Sequence, residues 1–223
     1  MDLATFSIAA RCARSGDFGV AVATARPAVG ALVPFVSRHA AIATQARVNT
    51  DLGRRGLVLV DQGVAIGVAL GSLVEADPDR ERRQLHGVDT RGEFAHTGAR
   101  CVEWCGHWVG AGVTVAGNML VGERVIPAIA EAFAATQDAE LAERLLRALE
   151  AGEVAGGDTR GKQSAALLVA SEWPRGYHNL RVDDDVDPVA ELRRVYEVAV
   201  AHWDRVGREY GLEGQRLFGR IKY

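Results

Sequence analysis

What most constrains this chain is the order of its apolar segments: strand-like stretches come in runs, and helix-like stretches come in pairs between them. Residues 4–10 (ATFSIAA) and 18–24 (FGVAVAT) are short, β-rich and apolar. The stretch between them is polar and contains Gly16, so the two read as a hairpin. Residues 39–45 (HAAIATQ) form a third strand whose apolar run hardly alternates, the pattern of a strand buried on both faces. Two helices follow over 52–61 and 64–75. The second sets Val64 and Val68 among its spaced apolar residues and stops before Asp77-Pro78.

Strands return at 84–89, 93–97, 108–110 and 112–117. Helix 123–135 then places Val125, Ile129, Ala132 and Phe133 on one face. Helix 139–150 does the same with Leu141, Leu145, Leu146 and Leu149, ending at Gly152. Residues 164–171 and 176–182 read as neighbouring strands. Asp187-Pro188 opens a last helix carrying Leu192, Val195, Val198, Ala199, Trp203 and Val206. Blocks in this order predict an α+β chain of mostly antiparallel sheets with helices packed outside, rather than an alternating βαβ sheet. No repeat or low-complexity linker interrupts the 223 residues, so 1–223 is read as one domain.

Composition narrows the function classes. A 48% hydrophobic share beside 25% charged residues suits a chain that buries a full core. A formal charge of -3, with Arg11, Arg14 and the Arg80–Arg83 cluster read as solvated surface, gives no footprint for a nucleic-acid backbone. The N-terminus lacks a basic start followed by an apolar run, so no secretory signal is expected. The apolar stretches stop well short of the ~20 residues of a membrane helix. Cys12, Cys101 and Cys105 form no disulfide framework. Together these predict a cytoplasmic protein with no membrane or nucleic-acid partner.

Several strings are more specific than any periodicity. They are Thr5-Phe6-Ser7-Ile8-Ala9, Ala28-Val29-Gly30-Ala31-Leu32-Val33-Pro34, Ala43-Thr44-Gln45-Ala46, His96-Thr97-Gly98, Gly117-Asn118-Met119-Leu120, and the stretch Gly156-Gly157-Asp158-Thr159-Arg160-Gly161-Lys162-Gln163-Ser164-Ala165. In these the chain resembles domain-of-unknown-function family ten-twenty-eight, from Thr5 to about Leu192. That resemblance implies a four-layer αββα sandwich of the N-terminal-nucleophile (Ntn) hydrolase type. It also implies that the strand starting at Thr5 corresponds to the one that carries the nucleophile in active Ntn enzymes. There an N-terminal Thr, Ser or Cys attacks an amide carbonyl while its own α-amine, with an ordinary pKa of about 7.7–8.0, takes the proton.

Four residues precede Thr5, so removal of Met1 alone does not free its amine. Three routes stay open: scission of the Ala4–Thr5 bond, a different start of translation, or a mechanism in which Asp158 or His96 acts as base. A further reading is that Thr5 is a strand residue with a bonded hydroxyl.

Asn118, between a strand and a helix, is either an oxyanion donor or an Asx cap. Asp158 and Arg160 sit in a Gly-rich loop, where they either line a site with Gln163 and Ser164 or pair with each other. Thr44 and Gln45 end a buried strand and are either substrate ligands or internally satisfied. Arg26, before Pro27, is a candidate carboxylate anchor, and His96 a further substrate-binding candidate. His96, Cys101, Cys105 and His107 do not have the paired spacing of a structural zinc knuckle, and Asp183-Asp184-Asp185 with Asp187 reads as helix capping. No metal or other cofactor is expected.

The expected activity is hydrolysis of a small non-peptide C–N substrate, an amide or ureido acid, at Thr5. A link of some relatives to pyrimidine breakdown suggests that class. The alternative is a non-catalytic protein on the same fold that binds a small molecule or a cell-wall fragment, since some relatives resemble fusions with a peptidoglycan-binding segment. Here only the final helix and a basic tail (Arg216, Arg220, Lys222) follow the matched region, so no second module is expected. Trp203, Val206, Tyr210, Leu212 and Phe218 leave much apolar surface near the C-terminus, which predicts a homodimer.

Overall fold

The computed structural model describes residues 2–3 and 5–219, with side chains over 5–216. Ala4, the Phe218 side chain, and Arg220 and Lys222 of the basic tail lie outside the described residues.

In chain order the elements are β1 (Asp2–Leu3), β2 (Thr5–Arg11), β3 (Phe18–Thr24), β4 (Pro34–Val36), β5 (Ala40–Arg47), α1 (Thr50–Asp61), α2 (Ile66–Ala76), β6 (Arg83–Asp89), β7 (Glu93–Thr97), β8 (Gly106–Gly110), β9 (Val113–Asn118), α3 (Val125–Ala134), α4 (Leu141–Val154), β10 (Ser164–Ala170), β11 (Asn179–Val182) and α5 (Pro188–Gly219). One sheet runs β1-β5-β6-β7, with β4 also on β5. The other runs β11-β10-β3-β2-β9-β8. Every strand pairing among the described residues is antiparallel. The block order in the sequence is thus realised as two antiparallel sheets, with β2 inside the larger one and paired to β3 as the hairpin predicts.

Strand alternation assigns the faces. Phe6, Ile8 and Ala10 of β2 join Ile129, Leu145 and Leu149 of α3 and α4 in one cluster. The opposite face of the same sheet, through Ala9, Val20 and Val22, meets Ala41, Ala43 and Val88 of the other sheet. The far face of that sheet, through Ala40, Ile42 and Leu85, packs on Leu52, Leu70 and Leu73 of α1 and α2. The central strands are therefore apolar on both sides because both sides are covered.

Polar groups fix where the helices begin. The Asn49 side chain accepts from Asp51 N at 3.1 Å to cap α1. Asp89, 4% exposed, accepts from Ile66 N at 2.9 Å and so caps α2 from a strand end. The buried Arg83–Asp77 pair, at 2.9 Å, closes the link from α2 to β6 and lowers the Asp77 carboxyl: burial opposes this, and the hydrogen bonds that Asp77 accepts from Arg83 and from Asp79 N outweigh it.

Several local expectations need correction. Val68 is 66% exposed, and α2 instead turns Ile66, Ala69, Leu70 and Leu73 inward. Helix α4 does not end at Gly152 but runs on to Val154. Gly152 is a packing residue: a Cβ there would lie 2.7 Å from Ile129 Cγ1 and 3.0 Å from Phe6 Cε2. Residues 176–178 form a 3-10 turn, and the strand proper is β11. Ala132 is half-buried and Val198 exposed, so the inner faces of α3 and α5 are narrower than their apolar residues suggest. No helix of the described residues is long and apolar enough to cross a membrane.

Candidate functional site

Thr5, Ser7 and Ala9 share the face of β2 that looks toward the other sheet, opposite Phe6 and Ile8. Register then builds a polar row at one end of the larger sheet: Ser164 pairs with Thr24, Thr24 with Thr5, and Thr5 with Asn118. At the usual strand spacing this row spans about 14 Å. All four side chains are buried, Thr5 completely. The Thr5 hydroxyl lies 3.4 Å from the Thr24 hydroxyl. Just ahead, Asp2 and Leu3 pair with Arg47 and Ala46 of the other sheet, so the chain changes sheets immediately before Thr5.

Asn118 is held in place by Gln84 of β6, whose Oε1 accepts from Asn118 Nδ2 at 2.9 Å and from Gln45 Nε2 at 3.0 Å. Gln84 Nε2 in turn faces Gly117 O at 2.7 Å, Gly106 O at 3.0 Å and Thr97 Oγ1 at 3.1 Å. Gln45 Oε1 accepts from Ser7 Oγ at 2.6 Å, and Ser7 Oγ also contacts His86 Nε2 at 2.8 Å. His86 Nδ1 meets Thr114 Oγ1 at 2.8 Å. Since Ser7 donates to Gln45, the Ser7 oxygen accepts from His86 Nε2–H, and His86 Nδ1 accepts from Thr114. Donors thus run one way, from Thr114 through His86, Ser7, Gln45 and Gln84 to Thr97. Thr97 Oγ1 reaches His107 Nδ1, on the exposed strand β8, at 2.9 Å. Burial, aided by His107, drives the His86 pKa down to about 3, so its ring is neutral at ordinary pH. This seam ties the two sheets together and runs from Thr114, opposite Ala9, toward the strand ends at Thr5 and Asn118.

The rim of the row is made by the Gly-rich loop. Asp158, 7% exposed, accepts from Ala25 N at 3.0 Å and Arg160 N at 2.9 Å, and pairs with the Arg160 guanidinium at 3.1 Å. Ser164 donates to Arg26 O at 2.5 Å and accepts from Val29 N at 3.1 Å. Gln163 donates to Asp184 at 3.0 Å. The half-buried Arg26 lies at this rim, and its Nε is buried without a hydrogen-bond partner. Thr5, Asn118 and Ser164 are therefore one row, with Asp158, Arg160, Gln163 and Arg26 around its Thr24–Ser164 end.

Two candidates lie elsewhere. Thr44 sits on the helix-facing side of β5, and its hydroxyl donates to Asn49 O at 3.2 Å, because alternation sends it opposite to Gln45. It does not converge with Thr5. His96 likewise faces away from Thr97, with Nε2 2.9 Å from Arg80 O. Gln45 does face the seam, where Ser7 and Gln84 satisfy it internally. Cys101 and Cys105 contact the carbonyls of Arg83 and Cys101. Ser7, Thr24, Gln84, His86 and Thr114 were missed in the sequence. Their signal was a polar residue at every second position, Thr5 and Ser7 in β2 and Gln84 and His86 in β6.

Two antiparallel sheets, face to face with a buried polar seam and a hydroxyl–amide row at one end, define an α+β protein whose candidate chemistry lies between its sheets. The chain belongs to the family of unknown function DUF1028, which it matches over residues 5–192. It is similar to the crystal structure of protein SPO2555 from Silicibacter pomeroyi, of the same family, with 33% identity and a TM-score of 0.82 over 91% of this chain and 90% of that one. A more distant likeness, at 12% identity and a TM-score of 0.45, is to eukaryotic HslV from Trypanosoma brucei, over 75% of this chain and 99% of that one. No curated protein matches the chain in sequence.

Proposed function

We propose that this protein is a hydrolase of small C–N substrates, an amide or ureido acid, on a single-domain αββα fold of the Ntn type, with Thr5 as nucleophile. The observation that carries the reading is the register of Thr5 between Thr24 and Asn118. A hydroxyl at a strand end, in register with an amide fixed by Gln84, supplies two of the groups that acyl transfer uses. One N–H of Asn118 is committed to Gln84, and the other is available to a developing oxyanion. Thr24 orients the Thr5 hydroxyl. Asp158 is engaged by Ala25 and Arg160, so it serves better to position the loop than to take a proton. That leaves the α-amine of Thr5 as base, which requires scission of the Ala4–Thr5 bond. Scission would also unlink Thr5 from the β1 segment anchored in the other sheet. Arg26, half-buried at the rim, is the group suited to a substrate carboxylate. The same reading places the protein in the cytoplasm, as a homodimer acting on a small molecule.

Intact-mass measurement tests this directly: the active form is expected to lack residues 1–4. Thr5→Ala should retain them, lose all turnover of ureido acids and small amides, and change stability by no more than about 1 kcal/mol. An active preparation that keeps its full mass, or a Thr5→Ala variant at full rate, would end the proposal.

One observation favours a second reading, a binding or scaffold protein. Thr5 is wholly buried and its hydroxyl is bonded within the sheet. A full-length mass together with absence of turnover in the parent protein is the outcome that selects it.

A further inference from the structure

At the opposite end of β2 from Thr5, about 20 Å along the strand, lies a cavity of about 500 Å³. Its walls come from the β2–β3 turn, the β8–β9 turn, the C-terminal end of α3 and the first turn of α4. Three arginines line it, Arg11, Arg14 and Arg144, against a single carboxylate, Asp138. Among the described residues none of the three makes an ion pair, whereas the buried Arg83 and the half-buried Arg175 and Arg193 each have a carboxylate partner. Arg14 donates to the Asp138 and Ala139 carbonyls at 3.1 and 3.0 Å. Arg144, only 9% exposed, stacks 3.9 Å over the Phe133 ring and donates to Phe133 O at 3.2 Å. Arg144 buries an Nε with no hydrogen-bond partner, while the Arg11 guanidinium lies 5.9 Å from the Phe18 ring on the side of β2 that faces the other sheet.

A guanidinium buried without a counter-charge is costly, and an anion that satisfies it recovers that cost. The remaining wall is apolar: Trp108, Val113, Phe133 and Ala134. We propose that this cavity is a binding site for a small oxyanion, carboxylate or phosphate, carried on an apolar group, with Arg14 and Arg144 holding the charge and Trp108 and Phe133 flanking the apolar part. Two titrating neighbours agree with a positive field here. Burial pulls the Arg144 pKa down, with Arg14 adding to that and Cys12 opposing it. Burial raises the Cys12 thiol, but the Ser15 hydroxyl, the Ser15 and Arg14 backbone and the Arg144 charge outweigh it, leaving the thiol below its ordinary value. Neither the hydroxyl–amide row nor the seam shares a residue with this cavity, so the inference is independent of the proposed hydrolase.

The test is titration of the full chain with benzoate, phenyl phosphate and inorganic phosphate, following the indole N–H resonance of Trp108, assigned with Trp108→Phe. A saturable shift below about 10 mM is expected with benzoate or phenyl phosphate, and which of them acts identifies the source as a carboxylate or a phosphate ester. Arg14→Gln should weaken that binding at least about tenfold, as loss of a charge-assisted hydrogen bond does. Arg144→Gln should do the same, and because Arg144 also caps α3, the Arg14 variant decides the matter if the Arg144 variant fails to fold. No saturable shift with either organic anion, a response to inorganic phosphate alone, or unchanged affinity in Arg14→Gln would overturn the proposal. Thr5→Ala should leave the titration unchanged.

Discussion

His86 shows what burial does to a single side chain. Its ring, with no exposed surface, is enclosed by Ser7 and Thr114, and it stays neutral until about pH 3. In the unfolded chain a histidine titrates near about 6.5, so between those values the unfolded state binds the extra proton. Stability is therefore full above about pH 6.5 and is lost as pH falls toward 3, by at most about 1.4 kcal/mol per pH unit for this one site. His107, lowered by burial and by His96, adds in the same direction. Urea unfolding at pH 7, 6 and 5 should show this slope in the parent, and His86→Gln should retain only the His107 share. Equal slopes in the two proteins would show that His86 is not held neutral.

Among the elements, β6 carries the tightest constraint. It lies between β5 and β7, and Gly87 pairs with Ile42. A Cβ at Gly87 would stand 2.4 Å from Ala41 O and 3.1 Å from Ile42 Cα, which are backbone atoms that cannot rotate aside. Gly87→Ala is expected to cost at least about 1–3 kcal/mol, as overpacking does, seen as a lower urea midpoint at unchanged slope. A change under about 0.5 kcal/mol would mean that the strands part more easily than their register implies. The strain would be felt at the site, because Gln84 and His86 lie on the same strand and face the seam.

At the scale of the whole molecule, the proposed dimer rests on the C-terminal helix. Val206 is buried, and Trp203 packs against the core formed with α4 and Tyr196, so part of the apolar surface that suggested a dimer is used within the chain. Tyr210 and Leu212 stay exposed at 59% and 75%, around Gly211, where φ of 66° breaks the helix. A dimer through this segment predicts a two-chain mass by light scattering across micromolar concentrations. It also predicts a shift toward monomer when Tyr210→Ser and Leu212→Ser are combined. A monomer mass in the parent protein would rule it out.

The sequence alone determined the antiparallel class, the β2–β3 hairpin, the helix pairs and the double burial of the central strands. Each of these follows from local periodicity and from the order of segments along the chain. It also singled out Thr5, Asn118, Asp158 and Ser164, because polar residues at strand ends and in Gly-rich loops stand out locally. Which of them meet was decided only by register between strands far apart in sequence. Thr44 and Gln45 are adjacent and look alike as candidates, yet the pleat sends one to the helices and the other to the seam. Ser7, Gln84 and His86 look like stray polar residues in apolar strands until the two sheets face each other and their hydrogen bonds close. Gly152 reads as a helix stop because nothing in the sequence shows Ile129 and Phe6 pressing on it. Side-chain direction is a local property, but the partner it finds is set by packing between sheets, and no pattern within one segment carries that information.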